Sequence, residues 1–186
     1  MDRRNLLLGT LAGGLLATGL LPINSLATKK RPPIKTMQTD WQKLLAPSAK
    51  ISTDTTPLNT PHAEWAKTLP KDSYRVLFEE DTERAFTSPL NDEKRTGNFV
   101  CGACDLPLFS SAMKYDSGTG WPSFFTSIPD HLATKTDYKL IWPRTEYHCV
   151  KCGGHQGHVF DDGPAPTGQR WCNNGVALRF IPFAAA

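Results

Sequence analysis

Apolar and polar positions divide the chain into three textures. Leu6 to Leu21 is a nearly continuous apolar run, diluted by Gly9, Thr10, Gly13, Gly14 and Gly19. Residues 28–60 are polar, rich in Thr, Lys and Pro, and hold no sustained period. Trp41-Gln42-Lys43-Leu44-Leu45 has the makings of one docking helical turn, but Pro47 and the Ser/Thr run after it predict a linker. Helical spacing begins at Pro61, which suits a first turn, and covers His62 to Lys67. Tyr74, Leu77 and Phe78 stand at i, i+3 and i+4 within Lys71 to Glu79, one face of a second short helix. Both helices are expected to cap one side of a sheet.

From Gly97 onward short apolar stretches are punctuated by Gly, Pro, Asp and Ser. They run Asn98–Cys101, Leu106–Ser110, Trp121–Phe125, Thr136–Trp142, Thr145–Cys149, His158–Phe160, Trp171–Asn173 and Val176–Ile181. Recurrence every 8 to 12 residues or so, with turn residues between, predicts antiparallel β-structure. No helix of more than three turns fits after residue 90.

With 186 residues the chain is long enough for one domain plus extensions, and a domain of about 150 residues buries roughly 70% of its unfolded surface. Hydrophobic residues make up 39% and charged residues 21%, ordinary for a globular chain. Arg3-Arg4 ahead of a weakly apolar core, followed by Ser25-Leu26-Ala27 with small residues at −3 and −1, reads residues 1–27 as a twin-arginine export leader. The expected destination is the periplasm. The alternative is a membrane anchor formed by the uncleaved leader, although the run falls short of about 20 spanning residues. Formal charge is +3, and +2 (19 basic against 17 acidic residues) without the leader, too mild to point to nucleic acid.

Five cysteines occur, four of them as Cys101-Gly102-Ala103-Cys104 and Cys149-Val150-Lys151-Cys152. Two such turns can share one tetrahedral zinc ion, with Gly153 letting the backbone fold back toward it. The 44 residues between the pairs must then be folded structure. Three readings compete: two disulfides formed after export, thioredoxin-like redox pairs, though no βαβ pattern surrounds either, and a site in which Cys101 and Cys104 join His155 and His158. Cys172 is left without a partner, beside Arg170 and downstream of two histidines, which makes it a candidate nucleophile. Arg170 stands two residues before it, on the same face of a strand, where a fixed positive charge favours the thiolate. His155 and His158, three apart on a Gly-containing loop, can act as acids at neutral pH.

His155-Gln156-Gly157-His158-Val159-Phe160, Arg170-Trp171-Cys172-Asn173-Asn174, Ser117-Gly118-Thr119-Gly120-Trp121-Pro122-Ser123-Phe124 and both cysteine pairs together resemble the B-type methionine sulfoxide reductases, which reduce the R epimer. Tyr74-Arg75-Val76-Leu77 and Thr82-Glu83-Arg84 look like that family's helical entry, and the similarity runs from about Trp65 to Phe180. The resemblance implies a mainly β fold: two antiparallel sheets packed around the active site, short N-terminal helices and a four-cysteine structural zinc site, within a domain of residues 61–186. It implies Cys172 as nucleophile, His155, His158 and Asp162 as polarising and proton-handling groups, and Trp121 as the wall against the substrate's S-methyl group. Arg170 and Asn174 complete the implied substrate site. Trp171, Asn173 and Gly175 depart from the family's usual aromatic Phe or Tyr, apolar residue and Ser.

Many relatives carry a resolving cysteine where this chain has Thr119. A one-cysteine cycle is therefore expected, in which Cys172 becomes a sulfenic acid and an external thiol, small or thioredoxin-like, regenerates it. The expected partners are oxidised proteins carrying methionine-R-sulfoxide and that reductant, with no nucleic acid, a membrane only through an uncleaved leader, and a monomeric state. Two other classes compete: a zinc-stapled β binding module without catalysis, and a general thiol peroxidase.

Overall fold

The structure, a computed structural model, describes residues 31–139 and 142–183. The leader assigned to residues 1–27 lies outside them. Among the described residues no helix is long and apolar enough to cross a membrane.

Among the described residues three short helices precede the strands: α1 (Ile34–Thr39), α2 (His62–Thr68) and α3 (Lys71–Glu79). Nine strands follow among the described residues: β1 (Gly97–Cys101), β2 (Pro107–Ser110), β3 (Lys114–Tyr115), β4 (Ser123–Phe124), β5 (Leu132–Asp137), β6 (Arg144–Cys149), β7 (His155–Phe160), β8 (Arg170–Asn173) and β9 (Leu178–Pro182). They form a three-stranded sheet, β2-β1-β9, and a six-stranded sheet, β3-β4-β8-β7-β6-β5. Every strand pairing is antiparallel, as the alternating turn pattern predicts. After residue 90 the only helical pieces among the described residues are single 3₁₀ turns, at Ser111–Met113 and Gly175–Ala177.

Aromatic side chains fill the space between the sheets. Phe124 stacks on Phe109 at 4.0 Å and meets Phe99 edge-on at 5.0 Å, while Tyr147 meets Trp171 edge-on at 4.9 Å. Each fully buried ring contributes roughly 1.5–3 kcal/mol, so this cluster is the main cohesive element of the domain. Helix α3 buries Val76 and Leu77. Phe78 also meets α2, stacking on Trp65 at 5.7 Å, and Tyr74 leans on Phe78 at 5.8 Å.

The linker expected over residues 28–60 is overturned for its described part. Met37 and Trp41 are buried in the core, and the buried Asn98 amide donates to the Trp41 and Leu44 carbonyls, both at 3.1 Å. Further on, Lys151 Nζ donates to the Asp54 carbonyl at 2.9 Å and the Leu58 amide to the Lys151 carbonyl. The compact unit runs from Arg31, not Pro61. The turn around Trp41 is the docking element, and Pro47 only ends it. The strand expected over 136–142 is displaced as well: β5 ends at Asp137, whose Oδ1 accepts the Lys139 amide at 2.8 Å in a side-chain-closed turn. Tyr138 and Trp142 are exposed beyond it.

Candidate active site and metal cluster

The two Cys-x-x-Cys turns sit at hairpin ends in different sheets. Cys101 to Asp105 closes β1 onto β2, with the Cys101 amide bonding the Leu106 carbonyl at 2.8 Å. Cys149 to Gly153 closes β6 onto β7; Gly153 adopts φ +74°, the left-handed turn that a glycine permits without strain, and its amide returns to the Cys149 carbonyl at 2.9 Å. The four sulfurs lie within 4.8 Å of one another, Cys101 Sγ being 3.5 Å from Cys152 Sγ and Cys104 Sγ 3.5 Å from Cys149 Sγ. Bonds near 2.3 Å to a tetrahedral ion place sulfurs about 3.8 Å apart, so this cluster has the size and donor set to hold one metal ion. Two N–H groups point at the sulfurs as they would at thiolates: Gln156 Nε2 to Cys101 and the Gly154 amide to Cys152, both at 3.4 Å. An ion there ties one sheet to the other. His155 and His158 lie outside the cluster, so the mixed Cys/His arrangement is not what forms.

Cys172 lies on β8 and is not part of that cluster. Its cross-strand neighbours are Ser123 on β4 and His158 on β7, and residues paired in this way share a face of the sheet. That face opens into a cavity of about 110 Å³, room for a few heavy atoms, walled by Trp121, His158, Phe160, Cys172, Asn174 and Arg144 among others. Trp121 is aimed by its indole N–H, which donates to the Glu83 carbonyl at 2.9 Å.

The two histidines belong to strand β7, not to the loop expected for them. Three residues apart in a regular strand would put them on opposite faces. The register slips between Tyr147 and His148, so that Tyr147 opposes Gly157 while His148 opposes His155. This bulge returns both rings to one side, 5.4 Å apart. His158 reaches the cavity wall; His155 stands behind it, buried.

Each imidazole is oriented by a carboxylate. His158 Nε2 meets Asp137 Oδ2 at 2.8 Å, and His155 Nδ1 meets Glu146 Oε1 at 2.7 Å, with His148 on the other Glu146 oxygen at 3.1 Å. Burial raises the Glu146 carboxyl, but its bonds from His148 and His155 outweigh that and hold it at about 2. Asp137 is held far below the carboxylate range by the Lys139 amide and then, against burial, by His158 and Arg144. Burial lowers the His158 pKa despite Asp137, so that ring is neutral near pH 7. With Nε2–H donated to an ionised Asp137, Nδ1 is left with a lone pair.

Arg170 is buried and forks onto Asp162, Nε to Oδ1 at 2.7 Å and Nη2 to Oδ2 at 2.9 Å. Its guanidinium also lies 4.3 Å over the Phe160 ring. Arg170 and Asp162 thus bind each other beside the cavity and do not line it. The sequence implies a depressed Cys172 pKa; the net shift is upward. Burial raises the thiol, and Arg170 and the Thr119 hydroxyl, which favour the thiolate, offset only part of that.

Asn174 lines the cavity while its side chain braces the chain behind it, accepting the Glu83 amide at 2.9 Å and donating to the Gln156 carbonyl at 3.1 Å. The three unusual residues near Cys172 each have a local reason. Asn173 is wholly buried and satisfied, its Oδ1 accepting from Tyr147 Oη at 2.8 Å and its Nδ2 donating to the Asn174 carbonyl at 2.8 Å. The Trp171 indole N–H donates to Gln169 at 3.2 Å. At Gly175 any Cβ would fall 1.8 Å from Ser88 Oγ. Asp137, Arg144 and Glu146 are members of the site that the sequence does not single out, and Glu83 stands out there only as part of the helical entry, with no role at the site.

The SelR domain matches residues 69–182. The chain is similar to peptide methionine sulfoxide reductase B1, chloroplastic, of Oryza sativa subsp. japonica, 50% identical over 117 residues that cover 62% of this chain and 55% of that protein. It is similar also to peptide methionine sulfoxide reductase MsrB of Leptospira interrogans, 47% identical over 124 residues, 66% of this chain and 95% of that protein. The same holds for the MsrB of Pseudomonas putida, 49% identical over 120 residues, 64% and 90% respectively. The match thus spans little more than half of the chloroplast relative and nearly all of the two bacterial ones. With more than half of its residues inside that domain, the chain belongs to the SelR-domain family of B-type peptide methionine sulfoxide reductases.

Proposed function

We propose that the protein reduces the R epimer of methionine sulfoxide in polypeptides to methionine, with Cys172 as nucleophile. One observation carries this reading. A single thiol, separate from four clustered ones, shares a small cavity with an indole and an imidazole. A methyl group fits against Trp121, and sulfur–aromatic contact is worth about 0.3–1.5 kcal/mol.

At rest the proton sits on the Cys172 sulfur, because burial raises its pKa, and His158 Nδ1 is the base that takes it. The thiolate attacks the sulfoxide sulfur, and the same proton passes to the sulfoxide oxygen. The S–O bond to methionine breaks, the oxygen ends on Cys172 as a sulfenic acid, and methionine leaves reduced by two electrons. One external thiol then condenses with the sulfenic acid, releasing water and leaving a mixed disulfide. A second external thiol displaces Cys172 from it. Thr119, whose hydroxyl acts on the Cys172 thiol, offers no sulfur for an internal disulfide, and the other four thiols belong to the cluster. Asp137 and Glu146 hold the imidazole tautomers, and Asp162 holds Arg170 beside the thiol.

The ion we assign to Cys101, Cys104, Cys149 and Cys152 is zinc, bound by four soft thiolates in a closed structural site. Residues 1–27 we assign to twin-arginine export, a route that carries proteins already folded and so with zinc in place. The reductant is a small thiol or a thioredoxin-like protein, and the substrate-binding unit is the monomer.

Peptides bearing either sulfoxide epimer test the activity: turnover of the R epimer alone, abolished in Cys172→Ser, is expected. Retention of all function by that variant would instead mark a zinc-stapled binding module, and equal turnover of hydrogen peroxide a thiol peroxidase. Mass spectrometry after one turnover without reductant should find one added oxygen on Cys172; an internal disulfide would end the one-cysteine scheme. A reporter fused to residues 1–35 that stays in the cytoplasm would end the export assignment.

A further inference from the structure

The cavity wall has few free hydrogen-bond donors. The Trp121 indole N–H is engaged by the Glu83 carbonyl (2.9 Å), Asn174 Nδ2 by the Gln156 carbonyl (3.1 Å), Asn173 Nδ2 by the Asn174 carbonyl (2.8 Å) and His158 Nε2 by Asp137 (2.8 Å). Thr82 offers an uncharged hydroxyl. Arg170 carries charge but is turned onto Asp162 and lies off the wall. Arg144 remains. It lines the cavity and is partly exposed, and its Nη2 bonds Asp137 Oδ2 at 2.6 Å. Among the described residues its Nη1 makes no hydrogen bond, while its Nε is buried without a partner.

A sulfoxide oxygen is an acceptor only. It carries the negative end of the S–O dipole, and it gains charge as the S–O bond lengthens. A neutral His158 presents a lone pair at Nδ1 and cannot hold that oxygen as substrate binds, and the one proton it then takes from Cys172 is given up to the oxygen rather than kept as a standing donor. A guanidinium edge can hold that oxygen, and a donor beside developing charge is worth more inside a cavity than in water.

We propose that Arg144 is a substrate-binding residue whose free guanidinium edge receives the sulfoxide oxygen, while Asp137, bonded to both Arg144 and His158, holds the oxygen donor and the proton carrier at a fixed spacing. Asp137 and Arg144 are directly paired across β5 and β6, and the Lys139 amide pins the other Asp137 oxygen, so the pivot is part of the backbone framework. The inference deepens the sulfoxide-reductase reading and rests on it. It also divides the two arginines: Arg170 acts on the sulfur of Cys172, Arg144 on the oxygen of the substrate.

Arg144→Met and Arg144→Lys test it in the full-length, zinc-loaded protein, with two reactions of the same thiol compared: turnover of an R-sulfoxide peptide, and alkylation of Cys172 by iodoacetamide, which has no sulfoxide oxygen. Arg144→Met should lose about a hundredfold in kcat/KM for the sulfoxide and keep its alkylation rate within about threefold, with Arg144→Lys between it and the native protein. Native turnover in Arg144→Met overturns the proposal, and so does an equal loss of turnover and alkylation, which would mark a structural role. Should Arg144→Met fail to fold, Arg144→Lys decides alone: native kcat/KM overturns, a loss beyond about tenfold with native alkylation supports. A native protein without sulfoxide turnover would instead sink the functional reading itself.

Discussion

Glu83 joins the two halves of the cavity, and its removal gives a worked stability test. One side-chain oxygen, Oε2, accepts the Gly175 amide and, at 3.3 Å, the Val176 amide, in the turn just after Cys172. The backbone of the same residue accepts the Trp121 indole N–H and donates to Asn174. Glu83→Ala leaves the backbone bonds but strands two amides beneath a half-buried side chain. Bonds to an ionised acceptor contribute about 1.5–3 kcal/mol each. The Val176 bond is long and the site is partly open to water, so the sum falls near 3 kcal/mol. For a domain of about 150 residues each kcal/mol moves the Tm by roughly 2–4 °C, which gives a fall of about 6–12 °C. Glu83→Gln keeps an acceptor without the charge and should lose about half as much. Differential scanning calorimetry of the zinc-loaded protein reads both. Turnover should fall by about ten- to a hundredfold in the Ala variant, because a shift near 1 Å of the Trp121 wall against Cys172 suffices for that. A Glu83→Ala protein melting within about 2 °C of native would refute the clamp, whatever its activity.

The remaining expectations concern the thiol, the strand behind it and the metal. Burial places the Cys172 pKa above its ordinary 9.0, so iodoacetamide alkylation should rise about tenfold per pH unit and keep rising through pH 9; a plateau near pH 7 would mean that Arg170 and Thr119 outweigh burial. Gly157 faces β8 so closely that an added Cβ would fall 1.9 Å from the Cys172 carbonyl oxygen. Gly157→Ala should therefore destabilise the domain by more than about 3 kcal/mol in urea titrations, and a soluble variant of native stability would show that β7 and β8 can part freely. The protein should contain one zinc per chain by plasma emission, and its removal by a chelator should lower the Tm by more than about 10 °C by freeing one sheet from the other; unchanged melting after verified removal would deny the ion a structural role.

What the sequence discloses here, and what it hides, follows from the distance over which each contact forms. The cysteine pairs are readable because the two thiols of each lie within one turn, and the left-handed Gly153 is part of that same turn. Cys172 is readable as the thiol left over. The carboxylate partners are not: Asp137 is 21 residues from His158, Glu146 is 9 from His155, and Glu83 is 92 from Gly175. The first two pairings exist only once the register of β5, β6 and β7 is set, and nothing local in Asp137 or Glu146 marks them out from a solvated acid. The register itself holds a slip, one extra residue near His155, which no alternation pattern reports, since a bulge erases the period of two that makes a strand visible. Without that slip His155 and His158 would face opposite sides of the sheet. A feature invisible in the hydrophobic pattern therefore decides whether the two histidines act on one site, and the loop inferred from Gly157 stands in for a bulge that does the same work by different geometry.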